Sequence, residues 1–170
     1  RDIKMDGLGN VYLLGYFYGT IQLGSNLVTS YGSQDVFLAQ MDDVGKINWS
    51  VQIGGSMADY PSGIALDQDN NIALAGYFYD GISIGDTTLA AMNSSDIYLA
   101  RFSPDGGFLG AVQAGGSSSD QVSAVTVDPD GNMALTGSFY DDFTVGDTTF
   151  STSDPVGVFV AEFTPSLELS

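Results

Sequence analysis

The chain has 170 residues, of which 44% are hydrophobic and 12% aromatic, enough for a sizeable core and too apolar for a disordered segment. Its 21 acidic side chains face four basic ones, Arg1, Lys4, Lys46 and Arg101, and the net charge of −17 argues against nucleic acid or an anionic membrane as a partner. With no Cys and no His, and no apolar run near the roughly 20 residues that span a bilayer, the sequence offers no disulfide, thiolate, imidazole or membrane-inserting helix.

Along the chain, the residues repeat with a period of 61. It opens on Arg1 partway through a unit and without an initiator Met, which predicts a processed or partial piece of something longer. The first phrase, Asn10-Val11-Tyr12-Leu13-Leu14-Gly15-Tyr16-Phe17-Tyr18-Gly19, returns as 71–80 and again as 132–141. Gly24, Gly85 and Gly146 hold the same spacing, as do Phe37, Tyr98 and Phe159. Residues 62–109 and 123–170 share 17 identities in 48 positions, so one structural unit is copied along the chain. The units run over 1–53 (partial), 54–114, and 115–170 (truncated), all within one domain.

The unit that begins at Gly54 reads most clearly. Gly54-Gly55-Ser56 and Asp59 precede a short strand at 63–66, which ends in the turn Asp67-Gln68-Asp69-Asn70-Asn71. The matching turn in the third unit is Asp128-Pro129-Asp130-Gly131-Asn132, with Pro and Gly or Asn where a tight turn needs them. The second strand, 71–79, is apolar on both sides: Ile72, Leu74 and Phe78 alternate with Ala73, Ala75 and Tyr77. A sheet solvated on one face would alternate apolar with polar, so both faces here are expected to be covered by neighbouring sheets. Residues 80–95 form a small extra hairpin around Gly85-Asp86. A third strand follows at 96–102 and a fourth at about 108–114, equivalent to 47–53. The 19 Asp against two Glu, with 22 Gly, fit many short strands joined by tight turns.

The predicted fold is all-β: four-stranded antiparallel sheets stacked as β-propeller blades, about three blades of an incomplete ring. A β-solenoid is the rival, but its rungs are shorter and its strands parallel. Propellers need four to eight blades, so the chain is expected to continue into further blades of the same polypeptide or to meet neighbouring copies in an assembly.

On these residues the chain resembles the SBBP-type β-propeller repeat. The phrases that carry the resemblance are GGSMADYPSGIALDQDNNIALAGYF, GGSSSDQVSAVTVDPDGNMALTGSF and SQDVFLAQMDDVGKINW. The sequence departs from that pattern at Asn70 in the turn, at Gly110 where Trp49 stands in the first unit, and at Gly157 where Asp96 stands in the second. The resemblance implies a secreted or cell-surface bacterial protein, and it does not imply an enzyme.

Site chemistry is sparse. The alternating oxygens of Asp128, Asp130 and Asn132, and of Asp67, Asp69 and Asn71, resemble half a calcium loop, but no acid stands at position 139 to complete it. They are expected to act first as turn residues, with calcium as the one cofactor they suggest. Tyr18, Tyr79 and Tyr140, at a strand end beside the extra hairpin, are the recognition candidates. Phe17, Phe78 and Phe139 share the face of the core aliphatics and are expected to pack. The expected function is a non-enzymatic structural or adhesion module at the cell surface or outside it, contacting a protein or glycan. The segments 28–34, 89–95 and 150–157 differ most between units and are expected to be its outward loops. A lectin-like, ligand-binding propeller is the alternative.

Overall fold

A computed structural model describes residues 1–170 as thirteen β-strands without a helix. The first sheet is β1 (Asp2–Met5), β2 (Val11–Leu23), β3 (Asn26–Met41) and β4 (Ile47–Ile53), antiparallel in that order. The second contains β5 (Asp59–Leu66), β6 (Ile72–Ile84), β7 (Thr87–Phe102) and β8 (Phe108–Gly115). The third is three-stranded, in the order β13 (Gly157–Phe163), β10 (Met133–Phe139) and β9 (Gln121–Val127). Its short strands β11 (Asp142–Val145) and β12 (Thr148–Ser151) pair instead beyond β8, which makes the second sheet six-stranded. The expectation of four strands in every sheet is therefore corrected. The first sheet has four, the second gains two from the following unit, and positions equivalent to β8 begin only at Leu169 in the third.

Side-chain parity decides how the sheets stack. Ile72, Leu74, Phe78, Tyr98, Ala100 and Phe102 point from the second sheet to the first, against Tyr12, Leu14, Val36, Leu38 and Ile53. Ala73, Ala75, Ile97 and Leu99 point the other way, against Met133, Leu135, Phe139, Phe143, Phe159 and Phe163 of the third. The two faces differ in size: large residues on one side of β6 and alanines on the other let the bulk of the next sheet come close. Phe17, Phe78 and Phe139 are all buried, as their parity predicts. No ring closes, and one face of the first sheet and one of the third meet no neighbour.

The extra hairpin is no separate appendage, because β6 and β7 run straight through it to the Gly85-Asp86 turn, where Gly85 adopts the positive φ such a tight turn requires. Between the main ladder and the hairpin the register jumps: Tyr79 pairs with Ser95 and Gly81 with Ala90. The residues between Ala90 and Ser95 form a wide bulge on β7, and the same jump occurs between Tyr18/Gln34 and Thr20/Thr29. The variable segments 28–34 and 89–95, expected as loops, are thus bulged stretches of long strands.

Candidate functional site

The units meet at a junction built twice in the same way. The chain leaves the outer strand of one sheet through two glycines, Gly54-Gly55 or Gly115-Gly116, and crosses to the inner strand of the next. A Cβ on Gly55 would overlap the Gly81 carbonyl, and one on Gly116 the Asp142 carbonyl, so only glycine lets the backbones pass. The extra hairpin of each unit then reaches back to the preceding sheet. Gly54 exchanges hydrogen bonds with Ser83, its amide donating at 3.2 Å and its carbonyl accepting at 3.0 Å. One unit later Gly115 pairs with Thr144, and Ala114 with Val145. Ile82 and Ile84, and their equivalents Phe143 and Val145, are buried by this clasp.

Four carboxyl groups are buried near the strand ends and crossovers. Asp35 at the bulge of β3 and Asp59 at the start of β5 form one set; Asp96 and Asp120, 61 residues on, form the other, and all four are completely buried. Asp35 accepts from the bulge amide of Tyr31 (2.9 Å) and from Gln52 Nε2 (2.7 Å). Asp96 accepts from the amide of Met92 (3.4 Å) and from Gln113 Nε2. The glutamines also donate to the hairpin carbonyls, Gln52 to Thr29 at 2.9 Å and Gln113 to Ala90 at 2.7 Å. Asp59 and Asp120 each cap the crossover, accepting from Gly55 N at 2.8 Å and Gly116 N at 2.7 Å. In every case Oδ2 takes the bonds and Oδ1 has no hydrogen-bond partner. Burial first, then the neighbouring Asp35 carboxylate, pushes Asp59 up to about 8, against hydrogen bonding from Gly55. Burial and Asp96 push Asp120 up to about 7.

The turn acids behave differently. Asp128 Oδ1 accepts from the amides of Asp130 (2.9 Å) and Asn132 (2.8 Å), and Oδ2 accepts from Asn132 Nδ2 (2.8 Å). Asp67 repeats this with Asp69 and Asn71, and Asp6 with Leu8 and Asn10. The Asn132 side chain, with the loop amides, holds Asp128 below the usual carboxylate range. Asn70 takes φ of 61° where Gly9 and Gly131 stand in the other units, a conformation Asn tolerates better than most residues. The Asn side chain offers its NH₂ to the carboxylate, and no three acids gather in metal-holding geometry. Asp67 also accepts from Arg101 Nη2 at 3.1 Å, fastening the turn to β7.

Tyr18 is 75% exposed, Tyr140 is exposed and Tyr79 is half-buried, each on a different unit, so the structure does not gather them into one platform. The tyrosines that do meet are Tyr16, Tyr60, Tyr77 and Tyr79, in a ladder with ring centroids 5.9, 5.1 and 6.4 Å apart in that order. Trp49 crosses to the next unit, its Nε1 donating to Pro104 O at 3.1 Å.

Antiparallel sheets stacked face to face, with a crossover from outer to inner strand at each junction, define this protein as a run of propeller-type blades. Residues 48–77 match the β-propeller repeat SBBP, a segment that spans the crossover, Asp59, the Asp67 turn and the start of β6. It is also 27% identical to an uncharacterized WD repeat-containing protein of Acanthamoeba polyphaga mimivirus, over 77% of this chain and 10% of the relative. The chain spans about a tenth of that relative's length.

Proposed function

We propose that the chain is a non-enzymatic interaction module, a set of blades that stacks on further blades through its two uncovered sheet faces and presents its bulges to a protein partner. One comparison carries the reading. Ile97 and Leu99 are each 2% exposed against the third sheet, whereas Val158 and Val160, at the equivalent positions of that sheet, are 77% and 75% exposed. The same strand position that forms core in one unit is open apolar surface in the next, which is the surface a following blade would cover. Tyr31 and Met92, exposed at the bulges of β3 and β7, give the rim two side chains of the kind enriched at protein interfaces. The repeat resemblance supports a secreted or cell-surface setting, and adhesion is the role that such a setting and such a rim suit.

Sedimentation velocity over a range of concentrations, with an apolar dye as second readout, tests the blade-stacking reading. Concentration-dependent association or dye binding at the open face is expected. A monodisperse 17.8 kDa monomer that binds no dye would overturn it.

A further inference from the structure

The two open faces of the stack are unlike, and each is one half of a junction that the chain builds internally. Where the second sheet meets the third, Val125, Val127, Leu135 and Phe159 of the third pack against Ala73, Ala75, Ile97 and Leu99 of the second. One unit on from that smaller set, the open face of the third sheet carries Ala134, Thr136, Val158 and Val160, small again. Two units back from the bulky set, the open face of the first sheet carries Ile3, Met5, Leu13 and Phe37, bulky again. Register keeps them on one face, because Ile3 pairs with Leu13 and Met5 with Val11.

Exposure marks what each face lacks. Ile3 is 59% exposed and Met5 67%, whereas Ile64, equivalent to Ile3, is 1% exposed because the first sheet covers it. Leu13 and Phe37 are half-buried where Leu74 and Tyr98 are completely buried. On the third sheet, an apolar hollow of about 250 Å³ lies between Ala124, Ala134, Thr136 and Val160. At the internal junction the corresponding place is occupied: Val125 Cγ1 lies 3.8 Å from the point where a Cβ on Gly63, the equivalent of Ala124, would stand. The residue that repeats Val125 in the first unit is Ile3.

We propose, resting on the blade-stacking reading above, that the partner covering these faces is a second copy of this chain docked head to tail, the Ile3, Met5 and Phe37 face of one copy seated on the Ala124, Val158 and Val160 face of the other. Like-on-like docking fits worse in both forms. Two small faces leave a gap between the sheets, and two bulky faces hold them apart. A head-to-tail contact joins two different patches, so it repeats until the rotation closes. Each copy brings three sheets, so a pair has six, within the four to eight blades of propellers, and three copies would have nine. The closed pair is the assembly this selects.

Two features make the contact weaker than an internal junction. The hairpin clasp needs an outer strand to hold, and the third sheet has only three strands. Each copy also carries a net charge of −17, a repulsion that salt screens. Association is therefore expected to rise with protein concentration and with salt.

The test is sedimentation of the full chain at low salt and at about 0.5 M salt, where the Debye length falls to a few Å. The samples are wild type, Ile3→Asp with Met5→Asp, Val158→Asp with Val160→Asp, and an equimolar mixture of the two variants. All four positions are exposed in the single chain, so both variants should fold with urea midpoints near wild type. Wild type should form a species of twice 17.8 kDa and nothing larger. Each variant alone should stay a monomer, since every head-to-tail contact needs one face of each kind. The mixture keeps one intact contact and should recover a two-chain species, at about a hundredfold more protein than wild type, because only a closed pair holds its second contact intramolecularly.

Cross-linking gives an independent answer without added charge. The chain has no Cys, so Ile3→Cys and Ala124→Cys each supply a single thiol. A short bifunctional thiol reagent should join these two variants to each other in preference to either with itself. Association that survives in the Ile3/Met5 variant, a mixture that stays monomeric, wild-type species that grow beyond two chains, or thiols that link mainly like with like would each overturn the proposal while leaving the open faces as stacking surfaces. A wild-type monomer that binds apolar dye would do the same, since its face is then open but not to this chain. A monomer that binds no dye would remove the blade-stacking reading as well.

Discussion

Leu74 and Val160 show how one residue's worth depends on the unit that follows it. Leu74 is completely buried between the first and second sheets, and truncating it leaves a cavity that stacked strands cannot easily collapse. Leu74→Ala should cost about 2–5 kcal/mol in urea unfolding. Val160 occupies a strand position equivalent to Leu99 but faces solvent, and Val160→Ala should change stability by less than about 0.5 kcal/mol. Equal losses at the two sites would contradict the stacking geometry. The Leu74 side of this contrast is readable from the sequence, since parity along 71–79 and 96–102 places each side chain on its face. The aspartates are readable only in part. In a Gly-rich chain Asp reads as a turn residue, which suffices for Asp6, Asp67 and Asp128, whose two oxygens both bond within their turns. Asp35, Asp59, Asp96 and Asp120 also cap local amides, but each is completely buried with its second oxygen unpartnered, which a turn pattern does not encode. The signal available was their recurrence in register next to apolar strands.

At the scale of the element, the surplus that lengthens this repeat beyond familiar propeller units is what ties unit to unit. The hairpin that continues β6 and β7 closes on Gly54, and β11 leaves its own sheet altogether to pair with β8. Sequence pattern gives a hairpin's own two strands through its turn residues. A lateral partner some 30 residues away has no local signature, so the clasp becomes visible only in the folded chain. The first unit supplies an internal control, because no sheet precedes it. Ile21 and Leu23 are half-buried there, whereas Ile82 and Ile84 are buried. The Ser83 amide donates to Gly54 O at 3.0 Å, and the equivalent Gln22 has no preceding sheet to bond. Native-state hydrogen exchange should therefore find Ser83 protected to nearly the free energy of global unfolding, and Gln22 exchanging by local fraying several kcal/mol sooner, about the range over which such units differ. Matching protection at the two positions would show that the hairpin is stable by itself and that the clasp contributes nothing.

At the scale of the molecule, the stack is open at both ends, and the apolar end formed by the third sheet has a testable consequence. Val158 and Val160 project from β13 on the side away from the second sheet, beside the half-buried Thr136 on the same face. An internal junction of this protein buries the corresponding Ile97 and Leu99 against Met133, Leu135 and Phe159, so the open face already has the shape a further blade would accept. Replacing both valines, Val158→Asp with Val160→Asp, places charge on solvated strand positions and should leave the unfolding midpoint within about 0.5 kcal/mol of wild type. It should at the same time abolish self-association and dye binding, because a following blade would have to bury two unpaired carboxylates. The same double change at Ile97 and Leu99 should prevent folding, since there the charges fall inside an existing junction. If the Val158/Val160 variant associates as the wild type does, the contact between copies lies elsewhere, and the open face of the third sheet is ordinary surface.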